Sequence, residues 1–278
     1  MGSVSKLTKL VPALALAAGI YTPNLAQAAD LYVEPPIIEV PEVKASGGWY
    51  LRGDITYDFH KSKGAYYHPA GTAFEEQSIE DSWDFGLGVG YQINHNFRVD
   101  VTGDYVFAAA WRGTSWDSNF VCPGLYPTGG GTVSTGTEPG TCRGDDSTSV
   151  SIFKLLGNAY VDLGHWSSIT PYVGAGIGGA YVMYDDLDQV LTGVGCCGAT
   201  YDQGYERHNG RSSWRFAYAL HAGVSYELKS SWKLDLGYSY TSIAGGAMAD
   251  YVGGSYPQAY DEGFTDHVIH AGLRYQIW

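Results

Sequence analysis

Charged residues are scarce in this sequence. They make up 16% of its 278 residues, against about a quarter in ordinary soluble domains, which is unusual for a cytosolic enzyme. Cations are the scarcer sign, with 16 Lys and Arg against 29 Asp and Glu. The net charge of −13 repels phosphate backbones and argues against nucleic acid as a partner. Cysteine is limited to Cys122, Cys142, Cys196 and Cys197. No two have CxxC spacing, so zinc and redox readings are weak. Long apolar runs are missing too. The apolar stretch at residues 10–20 falls short of the ~20 residues that a membrane helix needs. There is no GxSxG nucleophile elbow and no EF-hand spacing. Asp185, Asp186, Asp188, Glu75 and Glu76 therefore read as acidic, solvent-facing loop residues.

That short apolar stretch has another meaning. Lys6 and Lys9 precede it and Ala26-Gln27-Ala28 follows, the pattern of a secretory signal peptide over 1–28. Its removal leaves 14 basic against 29 acidic residues. Residues 29–47 carry Pro35, Pro36 and Pro41 and read as an extended periplasmic linker. A secreted chain meets oxidising conditions, so a disulfide is plausible. Four cysteines allow three pairings. Cys122–Cys142 would close a Gly/Thr-rich loop and stabilise it by about 3 kcal/mol in the chain-entropy model, whereas Cys196–Cys197 would need a strained vicinal ring.

What the sequence has in abundance is Gly (38), Tyr (23) and alternation. From Gly48 to the end, eight segments alternate apolar and polar residues. In GWYLRGDITYDFH, Trp49, Leu51, Ile55, Tyr57 and Phe59 oppose Arg52, Asp54, Asp58 and His60. SWDFGLGVGYQI sets Trp83, Phe85, Leu87, Val89 and Tyr91 against Asp84, Gly86, Gly88 and Gly90. FRVDVTGDYVFAAAW sets Phe97, Val99, Val101, Tyr105, Phe107 and Trp111 against Arg98, Asp100 and Asp104. The remaining segments lie at 149–163, 171–184, 213–228 and 232–243 and in the closing AGLRYQIW. Short connections alternate with long ones at 61–82, 113–147, 185–212 and 245–265. Two turns allow a register check. If Ile93 faces Phe97, Gln92 faces Arg98; if Leu228 faces Trp232, Glu227 faces Lys233. Both keep one face apolar, as a fixed register requires.

Alternation does not say which face meets water. The apolar face carries no Asp, Glu, Lys or Arg, and one such charge would cost about 2–4 kcal/mol at a bilayer midplane. The other face alternates Gly at 86, 88, 90 and again at 174, 176, 178, which suits a crowded interior. Trp49, Trp83, Trp111, Trp214, Trp232, Tyr91, Tyr226 and Tyr275 fall near strand ends, like interfacial girdles. The expectation is an all-β, eight-stranded antiparallel up-and-down transmembrane β-barrel over 48–278, with short periplasmic turns and four long extracellular loops. Lipid cannot satisfy an open edge, so the first strand must pair with the eighth. Eight strands leave room for side chains but not for a channel. Arg52, Asp54, Arg98, Asp100, Glu227, Lys233, Asp235 and Arg274 are then expected to form lumenal ion pairs.

GWYLRGDITYDF, FGLGVGYQINHNFRVDVTGDY, TPYVGAGIGGAY and AGLRYQIW resemble the alphaproteobacterial small outer-membrane barrels. That porin-like family includes opacity-like surface antigens, the Brucella and rhizobial major outer-membrane proteins, and Bartonella haemin-binding proteins. The likeness covers most of residues 48–278. It implies the cell outer membrane of a Gram-negative bacterium and contact with its lipid and lipopolysaccharide. It also implies loops that meet a host surface, and insertion by the barrel-assembly machinery through an aromatic-ended last strand. Here Ile277 shares the face of Tyr275, and Trp278 is one step out of phase.

The expected function is that of a structural, surface-exposed barrel protein and not an enzyme. Ser149, Ser151 and His267 are the polar residues near the outer lipid face, but they lie on strands that are not neighbours. His267 and His270 point to opposite faces, so they share no metal. Two alternatives stay open. One is a haem-binding receptor using His68 and His208, which rests mainly on the family likeness; otherwise no cofactor is expected. The other is a minor porin.

Overall fold

The computed structural model describes residues 47–68, 72–117, 142–192, 203–250 and 257–277. The expected signal peptide, most of the linker, Cys122, Cys196, Cys197 and Trp278 lie outside the described residues, as does the side chain of Cys142. The described residues form strands joined by turns. Eight of these strands cross the barrel wall: β1 (Gly48–Ser62), β5 (Ser82–Gln92), β6 (Phe97–Asp117), β7 (Cys142–Asp162), β8 (Ile169–Tyr184), β11 (Ser212–Lys229), β12 (Trp232–Asp250) and β13 (Pro257–Gln276). Each pairs antiparallel with the next. Closure is made by β1 on β13, from Tyr50↔Gln276 to Ser62↔Phe264. The ring therefore has no open edge, which is the condition for a sheet to stand in hydrocarbon.

Faces follow the parity of the sequence. Ile55, Leu87, Ile177 and Leu220 are more than half exposed on the outside. Asp54, Asp58, Asp100, Lys154 and Arg274 are buried inside. The turn after β5 has the anticipated register, Gln92↔Arg98. The turn after β11 also brings Glu227 opposite Lys233, but Trp232 pairs with Lys229 and not with Leu228. One extra residue is accommodated there as a bulge.

The outer ends depart from the expected long loops. Their described residues are largely strand. β2 (Ala65–Tyr67) continues the line of β1 and pairs with β13, while β3 (Thr72–Ala73) pairs with β2. β4 (Glu75–Ile79) pairs with β6 beyond the start of β5. β9 (Leu187–Thr192) pairs with the outer part of β7, and β10 (Gln203–His208) pairs with β9. With 21 residues each in β6 and β7, the wall rises roughly 20 Å above the lipid-facing stretch.

This outer tier has its own apolar core. Phe74, Trp111, Val150, Ile152, Val182, Leu187, Ile243, Met248 and Phe264 are buried there. Trp111 was expected on the lipid face and is instead fully buried. The cause is a bulge in β6: the register passes from Val106↔Ile152 to Ala109↔Val150. Three steps on one strand against two on the other reverse the parity beyond it. Trp111 then packs edge-on against Phe74.

Candidate functional site

The interior is built in two layers. The lower one, enclosed by the lipid-facing part of the wall, is a charge network. Arg52 donates to Asp54 through Nε and Nη2, both at 2.8 Å, and through Nη1 to Asp100 at 3.1 Å and Tyr160 Oη at 3.0 Å. The hydroxyl of Tyr50 donates to the same Asp100 at 2.9 Å. Arg98 lies between the rings of Tyr160 and Tyr172, 4.5 and 4.4 Å from their centres. It stands 3.3 Å from Asp162 and 3.9 Å from Asp235. Arg274 donates to Ser225 and Asp235 at 2.9 and 3.2 Å, and Ser225 in turn donates to Asp235. Lys154 reaches Asp84 at 2.7 Å and Asp58 at 3.3 Å. Such pairs offset the cost of burying charge only where the geometry is good and the remaining lone pairs are bonded.

Of the residues expected to pair in the lumen, the structure brings Arg52, Asp54 and Asp100 into one cluster and Arg98, Asp235 and Arg274 into another. Glu227 and Lys233 are register partners at the periplasmic rim. Among the described residues they make no direct ion pair, and Glu227 is exposed. The alternating glycines have a local reason. A side chain at Gly90 would overlap the ring of Tyr50, and one at Gly174 would overlap that of Tyr160. The large polar side chains of neighbouring strands lie flat over these positions and fill the barrel. Among the described residues a polar chamber of about 60 Å³ lies between Arg52, Asp84, Lys154, Asn158 and His221. That holds a few waters, at a minimum of ~10–15 Å³ each, and is far from an aqueous pore.

The upper layer, above the lipid-facing stretch, is the apolar core threaded by two polar clusters that the sequence reading missed. Arg215 Nη1 donates to both oxygens of Asp261 at 2.7 Å, and Tyr184 Oη donates to Oδ2 at 2.9 Å. Asp146 accepts from Tyr67 Oη at 2.8 Å and Ser115 Oγ at 2.9 Å. Burial pushes the Asp146 carboxyl up to about 6, against the opposing pull of its donors Tyr67, Ser115 and Gln189. A signal existed for this layer. Val150 and Ile152 share parity with Lys154 and Asn158, which marks an interior that changes from polar to apolar along one strand.

His68 and His208 are not brought to a common ligand. His68 is exposed and packs on Tyr260, as does Tyr66. His208 is buried in the outer tier, its Nδ1 3.1 Å from the Asp250 carbonyl oxygen and its ring beside Tyr67. The Tyr66–His68 side and the Tyr67 side of β2 are opposite faces, so the structure does not bring together the two histidines of the haem alternative. His208 is held in a core, away from solvent, and burial lowers its pKa. His270 faces inward to Tyr172 at 3.0 Å while His267 faces outward. Among the described residues no group of three or more His, Cys, Asp or Glu is placed to hold a metal ion.

A closed ring of eight tilted strands, apolar outside and filled with paired charge inside, is a transmembrane β-barrel. The chain belongs to the outer membrane protein beta-barrel domain family, whose model matches residues 13–276. It is 37% identical over 283 residues to an uncharacterized protein of Brucella melitensis, covering 91% of this chain and 93% of that one. It is 27% identical over 232 residues to a Rickettsia bellii protein named "Putative adhesin", covering 82% and 88%. The crystal structure of Neisserial surface protein A covers 83% of this chain and 97% of its own, with 16% identity and a TM-score of 0.42. The protein is a surface-exposed barrel of the cell outer membrane.

Proposed function

We propose that this protein presents binding loops to host surfaces and does not move solutes. The observation that carries the reading is the outer tier. A barrel serving only as an anchor could end at the headgroups, and a pore would keep its mouth open. Here the wall continues roughly 20 Å further and is filled by Trp111, Phe74, Met248 and Phe264. A filled tier is a rigid support, and loops on rigid supports carry recognition. Residues 118–141 and 193–202 join the ends of this tier and are the segments proposed to make contact. The adhesin name borne by the Rickettsia relative supports the same reading.

The experiment is adherence by a non-adherent Gram-negative host expressing the full chain. Attachment to cultured host cells should rise above the vector control. It should fall back when residues 118–141 and 193–202 are replaced by short Gly-Ser connections. Heat-modifiable gel mobility checks that the barrel still forms. Adherence equal to the vector control, or unchanged by loop replacement, refutes the proposal.

A further inference from the structure

Between the two aromatic girdles, His267 is the one residue among the described residues that places an imidazole, carboxylate, ammonium or guanidinium on the lipid-facing side of the wall. Asp266 and Val268 on either side are buried in the interior, while His267 is exposed. An ionisable group facing lipid is costly, and it persists where it meets a partner or serves a function. Its protein partner is Tyr238, whose Oη lies 2.6 Å from Nδ1. The ring of Tyr240, its Cα partner on β12, packs edge-on at 5.7 Å. When the hydroxyl donates to Nδ1, the imidazole proton sits on Nε2, which is left for an outside acceptor.

The level of this residue decides what that acceptor is. His267 is eight positions along β13 from Tyr275 at the periplasmic end. At ~3.3 Å per residue and ~40° tilt it stands ~20 Å up a ~25 Å apolar band. That is within ~5 Å of the outer boundary of the hydrocarbon, level with its Cα partner Phe59 on β1. Two residues further out on β1 stands Lys61, exposed and opposite Thr265. Diagonal neighbours on a sheet face lie ~7 Å apart, so a long lysine side chain and the imidazole reach one group between them. Among the described residues no carboxylate pairs with Lys61, and the exposed Glu262 stands beyond Gly263, whose φ is 99°.

We propose that Lys61, His267 and Tyr238 form a site for the phosphate of an outer-leaflet lipid headgroup. Lys61 supplies the ammonium and His267 Nε2 the second donor. Tyr238 positions the imidazole, and the acyl chains lie below against Tyr238 and Ile269.

The test uses the full chain, isotope-labelled at histidine, in nanodiscs containing either bisphosphorylated lipid A or the same lipid dephosphorylated. The His267 ring resonances should shift between the two discs while those of the interior His270 stay fixed. Inorganic phosphate added to the dephosphorylated discs should not reproduce the shift. Competition between the two lipids, read by native mass spectrometry, should show about fivefold weaker phosphate preference for each of Lys61→Gln and His267→Asn. Tyr238→Phe should weaken it less. Identical His267 resonances in the two discs overturn the proposal, as does a shift produced equally by free phosphate. If a variant fails to fold, the wild-type spectra alone still decide.

Discussion

Lys154 on β7 reaches across the lumen to Asp84 on β5, Nζ 2.7 Å from Oδ2, although β6 separates the two strands in the wall. The same ammonium holds Asp58 of β1 at 3.3 Å. One cation thus ties three strands together through the interior, where the ladder ties only neighbours. Lys154→Met leaves Asp58 and Asp84 buried without their counter-ion and should cost about 3–5 kcal/mol. Urea unfolding in lipid vesicles, followed by gel mobility, reads this as a lower midpoint. Adding Asp84→Asn to that variant should restore part of the loss.

Gly90 and Gly174 should tolerate no side chain. Gly90→Val drives into the ring of Tyr50 and Gly174→Val into that of Tyr160, at an overpacking cost of about 1–3 kcal/mol or more. Gly53→Ala is the control, since its added carbon meets Leu87 Cδ2 at 3.5 Å and the Gly86 carbonyl oxygen at 3.9 Å, both ordinary contacts. Folding yield into detergent micelles should fall for the first two and hold for the third.

The outer tier should loosen as pH rises. The Asp146 carboxyl moves from an ordinary 3.8 up to about 6 because burial disfavours its charge. Between those values the folded tier binds more protons than the unfolded one, so stability falls with pH. It is highest below about 4 and lowest above about 6, a span of about 3 kcal/mol. Hydrogen exchange at the amides of Ser115 and Tyr67 should therefore be slower at pH 4.5 than at pH 7, after correction for intrinsic rates. Asp146→Asn should flatten that difference.

The filled interior should not conduct. Planar bilayers containing the full chain should show no large ohmic steps, because the polar chamber is about 60 Å³ and the apolar core lies above it. Large, steady openings would mean that the lumen is open.

Much of the spanning wall was legible because lipid imposes one rule along each strand. Trp83, Phe85, Leu87 and Val89 alternate with Asp84, Gly86 and Gly88, and parity alone then gives Gln92↔Arg98. The outer tier was not legible because the rule reverses where the strands leave the membrane. On β7, Arg143, Asp145 and Ser147 face water while Val150 and Ile152 face inward. A wall that is polar outside and apolar inside reads as loop when the surrounding pattern is the opposite. The bulge between Val106 and Ala109 hid Trp111 for a related reason. An extra residue leaves no compositional mark, yet it exchanges the two faces of everything beyond it. The Lys154 contacts to Asp58 and Asp84 were out of reach as well, since strand parity says which side chains point inward but not which of them meet across the lumen.

Lipid contact on the outside of the wall is the central claim, and tryptophan quenching tests it directly. Trp83 and Trp214 are 58% and 60% exposed on the apolar face, whereas Trp111 is fully buried in the outer tier. Single-tryptophan variants should be reconstituted in vesicles of acyl-chain-brominated lipid. Strong quenching of Trp83 and Trp214, with little of Trp111, is the predicted result. Quenching of none of the three, with Trp83 and Trp214 instead open to aqueous iodide, would contradict the account.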